Sequence, residues 1–298
     1  MKLIAPPHTP MHANGSLNLE IIPRQVEHFL EAGVLGAFVG GSTGESQSLT
    51  IPERLELHAR WCDVAGASTL SVFLQVGHNC QKDAVALAEQ ARRLRGVDAI
   101  AAHPPSFFKP QTVDDLIDYC VPIAAAAGDL PFYYYHIPVL SGVPLPMLEF
   151  LEKAKSRLPT LAGLKYTHND LMELQECLRL DEGAFEILFG RDELMLAGYA
   201  LGARGAVGSS YNFAAPLYLK VIASFESNNE QRARQLQAQS VQMIRILASY
   251  GYMGAAKSVM RMFGIDCGPV RSPNRNLSES QVAELFARLR ELEYFASL

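Results

Sequence analysis

The sequence predicts an α/β protein, a TIM (β/α)8 barrel with a C-terminal helical extension, and three observations lead to this fold class. Eight short apolar runs alternate with stretches of helical apolar spacing, at roughly the 30-residue period of a strand–helix–strand unit. No Gly-x-Gly-x-x-Gly follows the first run, which counts against a dinucleotide-binding open sheet. From about residue 214 onward the strand patterns stop. On pattern alone, an open doubly wound sheet is the structural alternative.

Each predicted strand is a short apolar run that is followed closely by Gly, Pro or polar residues. The eight strands span residues 2–5, 34–39, 70–76, 97–102, 131–135, 160–165, 185–189 and 205–207. The helices between them span residues 19–32, 52–65, 81–94, 113–127, 145–154 and 171–180, and a seventh ends at residue 201. Thr50 and Pro52 together are typical of a helix start, with a hydroxyl cap and a proline in the first turn.

Only helical patterns follow the eighth strand. They span residues 217–226, 230–250, 255–262 and 278–293, and the breaks between them are marked by Gly251, Gly254, Gly264 and Pro269. We therefore expect residues 1–213 to form the barrel. Residues 214–298 supply the last barrel helix and a C-terminal helical extension, in a single structural unit, because no linker rich in Ser, Gly or Pro separates them.

The composition indicates which binding partners and which cellular compartment to expect. The net charge is −5 and no long basic run occurs, so nucleic acid is not expected to bind and an anionic substrate needs local donors. The five cysteines show no Cys-x-x-Cys spacing, which predicts neither zinc nor a disulfide framework and favours a reducing cytoplasm. No signal peptide and no apolar run of membrane-spanning length is present, so no membrane association is expected.

Lys165 comes at the end of the sixth predicted strand, after five small or apolar residues. A lysine at the end of a buried strand can be partly desolvated, which lowers its pKa. The neutral amine is then a nucleophile that forms a Schiff base with a ketone. The plain alternative is a surface lysine whose stem packs at the end of the strand.

Active-site groups of a parallel barrel collect at the C-terminal ends of the strands, and polar side chains follow several strands here. Ser42 and Thr43 lie in a glycine-flanked loop, residues 40–45, whose amides and hydroxyls can hold a carboxylate. Tyr135 ends the fifth strand, where its phenol can transfer a proton. The alternatives are an ordinary tight turn and a tyrosine that packs the core.

Thr167, Asp192, Glu193 and Ser209 follow three further strands. Asp192 and Glu193 can accept hydrogen bonds from a polyhydroxylated substrate, or they can be favourable charges at a helix start. No His or further carboxylate stands at a spacing that would complete a metal site, so no metal is predicted.

Four other titratable residues are candidates for a special role. His103 and His136 lie near strand ends, but no Ser or Cys nucleophile is paired with either, so a catalytic triad is not supported. Lys257 is the rival lysine, in a tail helix without further signs of a carbonyl site. Glu45 is expected to hold its loop rather than to do chemistry.

Five motifs together resemble the N-acetylneuraminate lyase group of pyruvate-dependent class I aldolases, in the superfamily that includes dihydrodipicolinate synthase. The resemblance runs from about Leu3 to the last helix. The motifs are Gly41-Ser42-Thr43-Gly44-Glu45, Tyr135-His136-Ile137-Pro138 with Ser141-Gly142, Gly163-Leu164-Lys165, Phe189-Gly190-Arg191-Asp192-Glu193 and Gly208-Ser209-Ser210-Tyr211-Asn212.

This resemblance implies a role for each candidate residue. Lys165 matches the Schiff-base lysine and Tyr135 the proton-transferring tyrosine, while Ser42 and Thr43 match the pair that binds the carboxylate. The residues that match the sugar-binding positions are Thr167, Gly190, Asp192, Glu193 and Ser209. The implied protein is a homotetramer that needs no cofactor and no metal, and its small-molecule substrates are sialic acid, pyruvate and N-acetyl-D-mannosamine.

Two departures from the superfamily pattern bear on the reaction. The synthase branch carries an arginine after the fifth strand that meets a second substrate carboxylate, but Val139-Leu140-Ser141-Gly142 stands here, which favours the lyase. A tyrosine pair that reaches across the dimer is replaced by Phe107-Phe108, which cannot relay protons. The expected reaction is the reversible aldol cleavage of N-acetylneuraminate. A 2-keto-3-deoxy sugar acid aldolase and a non-catalytic member that binds sialic acid or pyruvate are the alternatives.

Overall fold

The computed structural model describes residues 1–296, in which eight parallel strands close into a barrel. Each strand pairs with the next one in chain order, and β1 pairs with β8 to close the sheet. The strands are β1 (Lys2–Ala5), β2 (Gly36–Val39), β3 (Ser71–Gln75), β4 (Ala99–Ala102), β5 (Phe132–His136), β6 (Leu161–Tyr166), β7 (Glu186–Phe189) and β8 (Gly205–Val207). The predicted fold class is confirmed, and each strand lies within two residues of its predicted bounds.

Helices surround the barrel and continue beyond it. They are α1 (Ile22–Glu31), α2 (Ile51–Ala65), α3 (Gln81–Arg93), α4 (Val113–Ala126), α5 (Pro138–Ser141), α6 (Met147–Ala154), α7 (Leu171–Arg179), α8 (Met195–Leu201), α9 (Tyr211–Glu226), α10 (Glu230–Ser249), α11 (Tyr252–Val259) and α12 (Glu279–Arg290). Thr50 caps α2 as predicted, in a reciprocal capping box with Glu53. The short helix α5 was not predicted, because four residues after a strand are too few to show a helical period.

Side chains alternate between the barrel interior and the surrounding helices, as the period of a strand requires. On β5, Tyr133 and Tyr135 join the inner apolar cluster with Phe38. Tyr134 belongs to the outer cluster and packs on Phe150 of α6, with ring centroids 4.8 Å apart. The predicted division of the three tyrosines between two faces is confirmed.

Close approach of neighbouring strands places Lys165 beside Tyr135. The register between β5 and β6 shifts at Phe132 and Tyr133, and beyond this shift Tyr135 pairs with Lys165. Gly163, two positions before Lys165, lies so near β7 that a Cβ there would come within 1.8 Å of the carbonyl oxygen of Glu186. A side chain at residue 163 would therefore push β6 away and displace the lysine.

Two helices of the tail, α9 and α11, begin earlier than the sequence predicted. The helix α9 begins at Tyr211 rather than Leu217, and Pro216 lies inside it although a proline often marks a helix boundary. The helix α11 contains Gly254, which was wrongly predicted to break it. A Cβ at this position would meet the carbonyl oxygen of Arg275 at 2.1 Å, so the glycine serves close packing. The division of the chain at residue 213 falls within α9 and stays a prediction.

The tail packs back on the barrel. The helix α9 lies against α10 and β1, and α10 contacts the turn that follows β7. Within residues 1–296, no helix combines the length and the apolar character that crossing a bilayer requires.

Candidate active site

One cavity at the C-terminal ends of the strands brings together every residue that the sequence singled out for the site. Its volume is about 310 Å³. The nine predicted residues that line it are Ser42, Thr43, Tyr135, Lys165, Thr167, Gly190, Asp192, Glu193 and Ser209. They come from the C-terminal ends of five different strands and from the loops that follow them, so the closed barrel places them around one space.

Lys165 is buried at the bottom of this cavity, with 4% of its surface exposed. Its Nζ lies 3.7 Å from the centre of the Tyr135 ring and 4.1 Å from that of Phe38. Burial lowers the pKa of this amine below its ordinary value, while the Tyr135 phenol and, at longer range, Asp192 oppose the shift. The protein therefore raises the fraction of neutral, nucleophilic amine at residue 165.

The Tyr135 hydroxyl connects the lysine with the loop that follows β2. It lies 3.2 Å from Ser42 Oγ, and the phenol, whose ring face packs on the Lys165 amine, raises the pKa of that amine. The phenol is thus within reach of both the amine and a hydroxyl of the proposed carboxylate pocket. Such an arrangement can move a proton between an imine-bound substrate and its surroundings.

The loop of Ser42 and Thr43 is fixed from behind by buried polar contacts. Thr9 Oγ1 donates to the carbonyl of Gly44 at 2.6 Å. The Glu45 carboxylate accepts from Lys257 Nζ at 3.2 Å and from the backbone N–H of Arg271 at 2.9 Å. Lys257 is therefore an anchor of this loop, and it does not line the cavity.

Polar groups line the opposite wall of the cavity. Burial raises the pKa of Asp192 to about 6, although hydrogen bonds from Ser210 lower it. Glu193 pairs with Arg191 at 2.6 Å. Ser209 Oγ lies 2.6 Å from the hydroxyl of Tyr252. This wall offers acceptors and hydroxyls, which suit a polyol better than a second anion.

Thr167 and Gly190 meet at the edge of the same wall. A Cβ at residue 190 would lie 2.0 Å from Thr167 Oγ1, so the glycine leaves room for this hydroxyl. Among residues 1–296, Thr167 Oγ1 has no hydrogen-bond partner although it is buried. An unpaired buried hydroxyl beside a cavity is ready to bind a polar ligand group.

The two histidines near strand ends lie outside this cavity. His103 lines a neighbouring cavity of about 340 Å³, and its Nε2 is 2.9 Å from Gln47 Nε2. His136 points to the outer face of β5 and stacks on Tyr166. Burial lowers the pKa of His103 to about 4 and that of His136 to about 3, so both are neutral at pH 7. No three His, Cys, Asp or Glu side chains of the described chain form a group suited to a metal ion.

Sequence reasoning missed the part of the wall that comes from the tail, whereas Val139 and Leu140 were already noted as standing where the synthase branch carries an arginine. Ile244, Tyr252 and Met253 reach the cavity from α10 and α11, and Val139 and Leu140 reach it from α5. The three tail residues carry no local signal, because the tail folds back over the barrel from far along the chain, and the contact of Ser209 with Tyr252 spans 43 positions. Gly251, directly before Tyr252, separates α10 from α11 as predicted, but a break does not report where the following helix packs.

Comparison with known proteins agrees with this geometry. The model of the dihydrodipicolinate synthetase family matches residues 1–292. The chain belongs to this family. The family predicted from the five motifs is therefore confirmed.

Within the dihydrodipicolinate synthetase family, curated relatives and solved structures agree with each other. The N-acetylneuraminate lyase of Homo sapiens is 35% identical over 298 residues, which are 99% of this chain and 93% of the relative. That of Xenopus tropicalis is 38% identical over 274 residues, covering 91% of this chain and 89% of the relative.

The solved N-acetylneuraminate lyase of Proteus mirabilis superposes with a TM-score of 0.95 at 39% identity, over 98% of both chains. The structure of the N-acetylneuraminate lyase (sialic acid aldolase) of Aliivibrio salmonicida has a TM-score of 0.95 at 37% identity. It covers 98% of this chain and 97% of the other.

Proposed function

We propose that this protein is a carbon–carbon lyase that cleaves N-acetylneuraminate reversibly to pyruvate and N-acetyl-D-mannosamine. The observation that carries the proposal is the buried amine of Lys165, packed on Tyr135 in a cavity with a polar, acceptor-rich wall. The names of the relatives above support the same reaction. The chemistry needs an electron sink, and a lysine Schiff base supplies one without a cofactor.

The first step joins the substrate to Lys165. The neutral amine attacks the C2 ketone of the open-chain sugar acid, and loss of water leaves a protonated imine. This cation draws electrons from the C3–C4 bond, which breaks to give an enamine bound to the lysine. Protonation of the enamine at C3 and hydrolysis of the imine release pyruvate and the free amine.

The proton on the C4 hydroxyl has to leave as the C3–C4 bond breaks. We assign its removal to Tyr135, whose hydroxyl stands between Lys165 and Ser42. Ser42 and Thr43 hold the substrate carboxylate, and this contact places C2 over the amine. The bound carboxylate can also assist the phenol in removing the C4 proton. The aldehyde product departs toward the polar wall.

The sugar portion is held by the wall opposite the carboxylate loop. Thr167 and Ser209 offer hydroxyls, Asp192 and Glu193 offer carboxylate oxygens, and Gly190 leaves space beside Thr167. Each sugar hydroxyl can donate to a carboxylate there, and such charge-assisted bonds are the strong ones.

The lining of the cavity argues against the synthase reaction. Val139 and Leu140 of α5 supply an apolar wall where the synthase branch carries an arginine for a second substrate carboxylate. The cationic side chains that do line the cavity are Lys165 and Arg191, and Arg191 pairs with Glu193. A substrate with a single carboxylate therefore fits best.

Two experiments test the proposal. A coupled assay should detect pyruvate release from N-acetylneuraminate, with 2-keto-3-deoxy-gluconate as the competing substrate. Borohydride in the presence of pyruvate should trap one reduced adduct on Lys165, visible as a mass shift of the intact chain. Faster cleavage of 2-keto-3-deoxy-gluconate would favour the other aldolase, and saturable sialic acid binding without pyruvate release would favour a non-catalytic binding protein.

We also propose that the enzyme is a homotetramer of a reducing cytoplasm. The side chains of Phe107 and Phe108 are 80% and 85% exposed, which supports a surface that another copy covers. All five cysteines are free thiols, as a reducing compartment maintains. Light scattering after gel filtration measures the number of subunits.

A further inference from the structure

Asp192 is held by a ring of polar contacts that runs through the tail helices. It occupies the first position of the short 3-10 turn Asp192–Leu194 after β7 and is almost completely buried. Its Oδ2 accepts from both the backbone N–H, at 2.8 Å, and the hydroxyl of Ser210. Ser210 is the residue directly before α9, so this helix positions both donors.

The ring continues from Ser210 into α9 and α10. Ser210 Oγ lies 2.7 Å from the hydroxyl of Tyr218, and Ser240 acts on the same phenol and lowers its pKa. Gln237 Nε2 donates to Ser240 Oγ at 2.6 Å and to the backbone carbonyl of Asp192 at 3.1 Å, which closes the ring. The side chain and the main chain of Asp192 are thus fixed from opposite directions.

Burial makes this ring energetically significant. Ser210, Tyr218 and Ser240 have no exposed surface, so each lost contact would leave a polar group unpaired in the interior. Because the Ser210 proton is donated to Asp192, the Tyr218 hydroxyl donates to Ser210. Two successive donors that end on a carboxylate strengthen one another.

The ring leaves one side of the carboxyl group toward the cavity. Both contacts from Ser210 fall on Oδ2, whereas Oδ1 lies next to Gly208. A Cβ at residue 208 would come within 2.2 Å of Oδ1, so the missing side chain keeps this oxygen accessible. Gln237 Oε1 also accepts from the backbone N–H of Leu196 at 2.9 Å, which fixes the start of α8 behind the wall.

We propose that Ser210, Tyr218, Gln237 and Ser240 are positioning residues that set the specificity for the sugar portion of the substrate. The tail helices α9 and α10 thereby control recognition of the polyol, while the chemistry at Lys165 depends on β5 and β6. The inference rests on the proposed function, because it assigns Asp192 Oδ1 to a sugar hydroxyl. It predicts that the two halves of the reaction can be separated by mutation.

The test is the Tyr218→Phe variant, with Tyr199→Phe as its matched control. Tyr199 is a tyrosine whose hydroxyl donates directly to a carboxylate, that of Glu226. It lies outside the ring and outside the cavity. Tyr218→Phe should reduce kcat/KM for N-acetylneuraminate about ten-fold, mainly through KM, because a hydrogen bond that orients a charged group is lost. The pyruvate concentration that half-saturates borohydride trapping on Lys165 should not change.

A pH profile distinguishes positioning from a general loss of structure. Donation from Tyr218 through Ser210 favours the ionised carboxylate, so its loss raises the pKa of Asp192. The acid limb of kcat/KM for N-acetylneuraminate should therefore move to higher pH in Tyr218→Phe but not in Tyr199→Phe. Ser210→Ala removes the direct donor and should shift the limb in the same direction, which provides a second variant if Tyr218→Phe does not fold.

The outcomes separate this inference from the function on which it rests. If the unaltered enzyme releases no pyruvate from N-acetylneuraminate, the proposed function fails and the inference fails with it. If the unaltered enzyme is active but Tyr218→Phe and Ser210→Ala both match Tyr199→Phe in KM and in pH profile, only the inference is overturned. Equal losses of sugar cleavage and of pyruvate trapping would also overturn it, because they indicate a structural role.

Discussion

Two lysines of this enzyme are buried almost equally, and only one of them has the surroundings of a nucleophile. Lys165 is 4% exposed and Lys257 is 2% exposed. Burial lowers the pKa of both amines. Their partners differ, because the Lys257 amine contacts the Glu45 carboxylate and the carbonyl of Pro269, whereas the Lys165 amine lies over two aromatic rings.

The difference shows that burial alone does not make a lysine reactive. An ammonium group that is paired with a carboxylate and a carbonyl keeps its charge, because every acceptor stabilises the protonated form. Lys257 thereby fixes the loop of Ser42 and Thr43 from outside the cavity. The Lys165 amine has no carboxylate within 4.0 Å among residues 1–296, so its neutral form is reached more easily.

The largest effect is expected when the reactive lysine is removed. Lys165→Met should reduce pyruvate release by roughly 10⁴-fold or more, about 5.5 kcal/mol, because no other group can form the imine. The coupled assay and borohydride trapping measure this loss directly. The unfolding free energy of Lys165→Met should be unchanged or higher than that of the unaltered enzyme, since the variant no longer buries an amine that lacks an anionic partner. Residual trapping in this variant would mean that another lysine reacts.

The opposite change is expected at the paired lysine. Lys257→Met should lower the unfolding free energy by about 3–5 kcal/mol, because the Glu45 carboxylate is left buried without its cation. Chemical denaturation followed by circular dichroism measures the loss. The double variant with Glu45→Gln should recover part of it, since the uncompensated charge is removed. If Lys257→Met is as stable as the unaltered enzyme, the pair does not anchor the loop.

The Tyr135 phenol also distinguishes the two lysines, since it packs on Lys165, whereas the Lys257 amine contacts Glu45 and Pro269. Tyr135→Phe should lower kcat for sugar cleavage by about 10²–10³-fold, roughly 3–4 kcal/mol, which is the range for a lost general acid or base. The ring is retained, so the packing against Lys165 stays. Trapping of the pyruvate adduct should still proceed to completion. Loss of trapping together with turnover would mean that the phenol is needed to seat the lysine.

The sequence predicts local features of the two lysines better than contacts between residues that lie far apart along the chain. The end of an apolar strand indicated that Lys165 could be partly desolvated, and the resemblance based on the five family motifs predicted the eight other site residues that line the cavity. The pairing of Lys257 with Glu45 joins positions 212 residues apart, and no pattern along the chain reports such a contact. The sequence therefore predicted that Lys257 was not catalytic without showing what it does.

The same limit applies to the wall of the cavity. Strand ends are local features, so Ser42, Tyr135 and Asp192 could be placed at one end of the barrel from the order of elements alone. Tyr252 reaches the site only because α10 and α11 fold back over the barrel, and its contact with Ser209 spans 43 positions. The ring behind Asp192 depends in the same way on how α9 and α10 pack.

The smallest effect is expected in the pH dependence of adduct formation. A protonated amine cannot attack, so the rate of borohydride-trapped adduct formation should rise with pH and level off above the pKa of Lys165. Burial lowers this pKa, so the midpoint should lie below that of an ordinary lysine, about 10.4. The Tyr135 phenol raises the pKa of Lys165, so Tyr135→Phe should move the midpoint to lower pH. Lys257→Met should leave the midpoint in place, because the charge of Lys257 acts on Glu45, outside the cavity. A shifted midpoint in this variant would show that the two lysines are coupled.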